Sequence, residues 1–149
     1  MINVDFAGMN RQMRDLAREV TDKMQRASAE ASFDAAAIVQ SHFIFEYSHG
    51  TKSGEFYTRG TTVAPHRASV NQIKAEYPAN DFGNLGQNTS ASPLPNGSAE
   101  VATRSAYAEF LHFGTPHMHP RKSVIDAADE KAQDIEEAYK QRAREALRR

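Results

Sequence analysis

The chain has 149 residues, enough for one domain with one core but not for two independent cores. Its 40% hydrophobic and 25% charged residues are ordinary for a globular chain, and 18 Lys+Arg against 19 Asp+Glu leave a net charge of −1. That balance excludes a polybasic nucleic-acid binder of the histone type, and the absence of cysteine excludes disulfide scaffolds, thiol nucleophiles and cysteine-ligated metals.

No apolar run approaches the roughly 20 residues of a membrane span, so no membrane partner is expected. The N-terminus lacks the basic-then-apolar pattern of a secretory signal. The fold class expected is α+β within a single domain, 1–149. It comprises a long N-terminal helix (1–48), a β-rich middle with a small antiparallel sheet and hairpin (49–106), and a turn followed by a C-terminal helix packed on the sheet (107–149).

Met9, Met13, Leu16, Val20, Met24, Ala27, Ala31, Ala35, Ile38 and Val39 recur at spacings of three and four, which places them on one stripe of a helix. Asp5 is a fitting N-cap, and nothing breaks the pattern before His49-Gly50. Some 40 helical residues would extend ~60 Å, more than one globule of this size covers. Either the helix kinks near Ala31–Asp34, or part of it packs on a neighbouring subunit. Met13, Leu16, Val20 and Met24 are accordingly candidates for an oligomer interface, with plain intramolecular core as the alternative.

The middle holds six of the eight glycines and four of the six prolines. Phe56–Arg59 and Thr61–Val63 read as strands around Gly60, residues 64–81 as mostly irregular, and Leu85–Ser92 as a further strand. Pro93-Leu94-Pro95-Asn96-Gly97 is a strong turn because Asn-Gly readily takes positive φ, and Ala99–Thr103 is the returning strand. Tyr107–Phe113 gives one or two helical turns that Gly114 stops in the left-handed region. A last helix then opens at Pro120 or Arg121, with Val124, Ala128, Ala132, Ile135, Tyr139, Ala143 and Leu147 on one face. Its acids lie early and its bases late, which complements the helix dipole. The same bases, Arg142, Arg144, Arg148 and Arg149, could also form a cationic arm touching DNA or an acidic partner.

Chemistry-bearing patterns are sparse. His112, His117 and His119 offer imidazoles but no Cys or nearby carboxylate to complete a metal set, so no metal or other cofactor is expected. There is no Gly-x-Ser-x-Gly elbow and no phosphate-cradling glycine loop, and an enzyme is not expected. Phe56, Tyr57, Arg59, His66 and Arg67 combine aromatics with cations, a mixture that can stack single-stranded bases but more commonly packs a strand. Arg59, His66, Arg67 and His117 are loop candidates for partner contacts.

Two stretches resemble the tail-completion, or head–tail joining, family of long-tailed bacteriophages. The first runs through Ser53–Gly60, His66–Ser69 and Glu76–Leu85. The second runs from Val101 through Tyr107-Ala108-Glu109-Phe110-Leu111-His112-Phe113-Gly114-Thr115-Pro116 to His119-Pro120-Arg121. Tyr107, Ala108, Phe110, Phe113, Gly114 and Thr115 form the most specific element, whose aromatic face is expected to cap the end of the hairpin's sheet. The chain departs from the family at His112, where a Glu is usual, and at Pro120-Arg121, where the order is reversed. The resemblance covers roughly residues 9–145 and implies a non-enzymatic virion protein without cofactor, made in the bacterial host cytoplasm. Such a protein would form a ring, expected to be hexameric, at the head–tail junction. Its partners would be sister copies and other neck and tail proteins (connector or stopper, tail terminator, tail tube), with genomic DNA passing through the channel without specific binding. An accessory nucleic-acid-binding protein using the basic C-terminal helix is the alternative.

Overall fold

A computed structural model describes residues 6–50, 56–59, 62–65, 76–79, 83–116 and 118–148. Helix α1 spans Phe6–His49 without interruption. At 1.5 Å per residue its 44 residues extend ~66 Å. There is no break at Ala31–Asp34, and the Ser32 hydroxyl donates to the Ser28 carbonyl at 2.9 Å inside the helix. The helix closes at Gly50, whose N–H donates to the Glu46 carbonyl at 2.9 Å. A Cβ there would lie 2.5 Å from that oxygen, so this approach requires glycine. Asp5, the expected cap, lies outside the described residues.

Strands β1 (Phe56–Arg59) and β2 (Thr62–Pro65) pair antiparallel, with Phe56 opposite Pro65 and Arg59 opposite Thr62. The second strand is thus displaced by one to two residues from its expected place. Leu85 is not in a strand. Gly83, at φ +74°, opens a single helical turn, α2 (Asn84–Gln87), closed by Gln87 N–H to Gly83 O at 3.0 Å and Asn88 N–H to Asn84 O at 3.1 Å. The Thr89 hydroxyl extends the pattern by donating to Leu85 O at 2.7 Å. Four successive residues thus sit on a helical turn, and extended backbone begins only at Thr89.

Strands β3 (Thr89–Pro93) and β4 (Ala99–Thr103) form the expected hairpin, in a separate two-stranded sheet, with Thr89 opposite Thr103 and Pro93 opposite Ala99. Gly97 takes φ +80°, and the Asn96 carboxamide oxygen accepts from the Ser98 N–H at 3.1 Å. The hairpin lies on α1, where the Gln40 side-chain amide donates to Thr89 O at 2.9 Å.

Helix α3 (Ala108–Phe113) follows, and then α4 (Val124–Glu130) and α5 (Ala132–Arg148) replace the single last helix expected. The start moves from Pro120 to Val124 because Ser123 and Asp126 make a capping box. Ser123 Oγ accepts from Ile125 N–H at 3.2 Å, and Asp126 Oδ2 accepts from Ser123 N–H at 2.8 Å. Lys131 alone separates α4 from α5. Helix α5 runs antiparallel to α1. Its Tyr139 hydroxyl meets Ser32 Oγ at 2.9 Å, and Arg142 bonds Asp34 at 2.7 Å and Glu30 at 3.0 Å. Ala27 and Ala31 are buried along this seam, Ala31 to 1% exposure, where small side chains let two helices approach closely.

The core gathers Val39, Phe43 and Tyr47 of α1, Tyr77, Leu85 of α2 and Ala127 of α4, with Val101, Leu111, Val124 and Ile135 packed around them. Phe43 stacks on Tyr47 with ring centres 6.3 Å apart and meets Tyr77 edge-on at 5.9 Å. The α+β architecture, with a long first helix, a β-hairpin and a C-terminal helix against α1 and the hairpin, matches the expectation.

Candidate functional site

The apolar stripe of α1 divides into two halves with opposite fates. From Ala27 onward it supplies the core. Before Ala27 none of its residues is buried. Met9, Met13, Leu16, Val20 and Met24 are all exposed, Met13 to 66% and Leu16 to 58%. At about 100° per residue these five fall within an arc of roughly 80°, one continuous apolar face on an arm of some five turns. Met13, Leu16, Val20 and Met24 thus take no part in the core of the described residues, none of which buries them. Beside the stripe, Lys23 pairs with Glu19 at 2.7 Å.

A second set of bare apolar side chains lies on the turn after the hairpin. Ala108 and Leu111 of α3 face the core, whereas Tyr107, Phe110 and Phe113 are exposed, Phe113 to 71%. The aromatic face therefore does not cap the hairpin. The reason is helical geometry: Ala108 and Leu111 lie three apart on the inner side, Phe110 and Phe113 are rotated away from them, and Tyr107 stands before the helix at its N-cap. Ile125 of α4, 56% exposed, shares with Phe113 the lining of an apolar cavity of about 240 Å³ floored by Phe43, Leu85 and Leu111. His112 also lines it; its Nδ1 is buried with no hydrogen-bond partner among the described residues, and its ring meets Phe113 at 4.6 Å.

Gly114 ends α3, its N–H donating to Phe110 O at 2.8 Å. Its φ is +79°, but ψ is −178°, so it is extended rather than in the left-handed helical region expected. That corner of backbone space is essentially glycine's alone. A Cβ would also strike Met118 O at 2.7 Å and Pro120 Cδ at 2.9 Å. Thr115 and Met118 then exchange backbone hydrogen bonds at 2.8 and 3.1 Å, which closes the turn.

The turn is fixed to the body by a polar cluster that sequence reading did not find. Glu130 Oε2 accepts from the Tyr77 hydroxyl at 2.8 Å and contacts His42 Nε2 at 2.8 Å; Glu130 Oε1 accepts from Lys122 Nζ at 2.6 Å. Burial alone would raise this carboxyl, but the bonds from Lys122, His42 and Tyr77 outweigh it and hold the group at about 2. Burial, together with the bond to Glu130, pushes the Tyr77 phenol well above its ordinary value. Nearby, Arg121 is buried, donates its N–H to Leu111 O at 2.7 Å and lies 3.7 Å from Glu76. Burial depresses its guanidinium, and Glu76 opposes that. Lys122 N–H donates to Glu76 O at 3.1 Å. These residues come from four separated stretches, and no spacing along the chain links them. The only signal was indirect: Glu76-Tyr77 and Pro120-Arg121 both fall in the stretches that carry the phage-family resemblance.

The remaining sequence candidates are scattered. Arg59 ends β1, opposite Thr62, while His66, Arg67 and His117 lie outside the described residues. Among the described residues no three His, Asp or Glu side chains are placed to hold a metal. Of the five bases late in α5 three are engaged, Arg142 with Asp34 and Glu30, Arg144 with Glu137 at 3.0 Å and Lys140 with Glu136 at 2.6 Å; Arg148 is exposed and makes no ion pair among the described residues, and Arg149 lies outside them. The bond to Asp34 and its charge hold the Arg142 guanidinium above its ordinary value. No helix among the described residues is long and apolar enough to cross a membrane. Comparison of the chain with protein-family models, with curated proteins and with solved structures gave no match in any of the three.

Proposed function

We propose that this protein is a structural subunit of the head–tail junction of a long-tailed bacteriophage, assembling with sister copies into a ring that completes the tail and joins it to the filled head. The observation that carries this reading is the bare apolar face of α1 at Met9, Met13, Leu16, Val20 and Met24. An ordered row of large apolar side chains on an arm, with its polar flanks in water, is the sequence economy of a protein–protein contact rather than of a monomer. The exposed Tyr107, Phe110 and Phe113, in the element that resembles the tail-completion family, supply a second apolar surface for a neighbouring neck or tail protein. Three of the five bases late in α5, Lys140, Arg142 and Arg144, are already paired with carboxylates, which favours a structural role over nucleic-acid binding.

The test is location. A reconstruction of the phage particle that encodes this chain is expected to show a symmetric ring of it between the portal end of the head and the tail tube. Particles that lack it at that junction, or a deletion mutant that still yields joined, infectious particles, would refute the proposal.

A further inference from the structure

Besides the aromatics of the α3 turn, two apolar surfaces stand uncovered among the described residues, and they differ in charge. One is the arm of α1, where residues 8–26 carry Arg11, Arg14, Arg18, Lys23 and Arg26 against Asp15, Glu19 and Asp22. The other is an open groove of about 410 Å³ between α1, β4 and the α4–α5 pair. Its floor is small and apolar, with Ala35, Ala36, Ala99 and Ala128, and its margins are Ile125 and Tyr139, both exposed. A floor of alanines lets the backbone of another helix come close. Of the six carboxylates on residues 124–137 only Asp129 lines the groove; Asp126 caps Ser123, Glu130 bonds Tyr77 and Lys122, and Asp134, Glu136 and Glu137 are paired with Lys131, Lys140 and Arg144. Asp129 lines the groove and makes no ion pair among the described residues.

Resting on the ring-subunit reading above, we infer that the arm of one copy occupies this groove on a second copy, in a head-to-tail contact. The arm cannot fill the groove of its own chain: Ala35 and Ala36 line it from α1, and Met24 stands eleven residues earlier on the same unbroken helix. Pairing arm with arm sets two surfaces of net positive charge against each other, whereas arm in groove sets a net positive surface against the carboxylate of Asp129. A contact between two different patches leaves every copy with one free arm and one free groove, so it propagates until the rotation closes a ring; a contact of one patch with itself stops at two copies.

Mixing two crippled variants tests this. The arm variant is Leu16→Gln with Val20→Gln, at exposed helix positions where glutamine is a good helix former and the charge is unchanged. The groove variant is Ile125→Asp, in the first turn of α4, where an added acid suits the helix dipole. Asp129→Lys is a second groove variant that leaves the apolar packing alone. Far-UV circular dichroism and thermal melting confirm that each one folds. In sedimentation velocity the wild type is expected to associate beyond a dimer as concentration rises. The arm variant and Ile125→Asp alone should each remain monomeric, their association weakened at least about thirtyfold, as for a central interface residue. Asp129→Lys should weaken association several-fold. An equimolar mixture of the arm variant with Ile125→Asp should form a dimer and stop there, because it contains one intact arm facing one intact groove. Wild-type association by Ile125→Asp and Asp129→Lys, a mixture that stays monomeric, or a wild type monomeric at every concentration would each overturn the contact. None of these results bears on whether the protein sits at the head–tail junction, which the particle reconstruction decides.

Discussion

Replacing Glu130 by glutamine removes the charge on which α1, residue 77, the segment before α4 and α4 itself converge. In the folded chain this carboxyl titrates at about 2, against an ordinary 4.5, so folding favours its charged form. That gap corresponds to about 3 kcal/mol at full strength. The side chain is 35% exposed, and water screens part of the interaction, which leaves about 1–2 kcal/mol. The contribution is fully present above about pH 4.5 and is lost as the pH falls through about 2. Glu130→Gln is therefore expected to unfold about 1–2 kcal/mol more easily than wild type at neutral pH, with a melting temperature lower by roughly 3–6 °C for a chain of this length. Urea unfolding followed by far-UV circular dichroism, at pH steps from 7 downward for as long as the wild type stays folded, measures the difference. The two proteins should converge in acid. Equal stability at neutral pH, or a deficit that does not shrink between pH 4.5 and the acid limit, would refute the assignment of Glu130 as the ionic tie of the core.

Gly114→Ala combines a backbone angle that only glycine takes easily with a Cβ 2.7 Å from Met118 O, and should cost about 3 kcal/mol by thermal unfolding. Leu85→Ala empties a buried position in the core and should cost about the same, ~3 kcal/mol by urea titration. Phe113→Ser, by contrast, removes a side chain that is mostly in water and should change stability by less than about 0.5 kcal/mol. Arg142→Ala cuts the link from α5 to Glu30 and Asp34 on α1, so amide exchange in the last turns of α5 should quicken, and the difference from wild type should shrink as salt is added.

Local patterns carried much of the fold. The three-and-four spacing from Met9 to Val39 marked α1, and Asn96-Gly97 between alternating residues marked the β3–β4 hairpin, because each element is set by chemistry within a few residues. What the pattern could not show is which half of the α1 stripe is covered. By side chain alone the order looks inverted: the large Met13 and Leu16 are bare, while the small Ala27 and Ala31 are buried. Coverage depends on where α5 packs along α1, a long-range fact, and alanine is what a close helix seam selects. Leu85, expected to begin a strand, lies instead on a helical turn that Gly83 opens and the Thr89 hydroxyl closes around it, a pairing no apolar pattern marks. The Glu130 cluster lay beyond reach for a different reason. His42 and Tyr77 lie 88 and 53 residues from Glu130, Lys122 lies eight residues before it and ahead of α4, and an isolated histidine or glutamate gives no hint that a partner exists.

Because α1 runs from the bare arm to the Phe43–Tyr47–Tyr77 stack without a break, it is a stiff lever rather than a tether. Whatever grips the tip also fixes the azimuth of the whole body, since turning the shaft must turn the aromatic residues seated at its other end. A ligand of the arm would thereby orient the hairpin and the exposed phenylalanines in the same stroke, with no joint between them to take up slack.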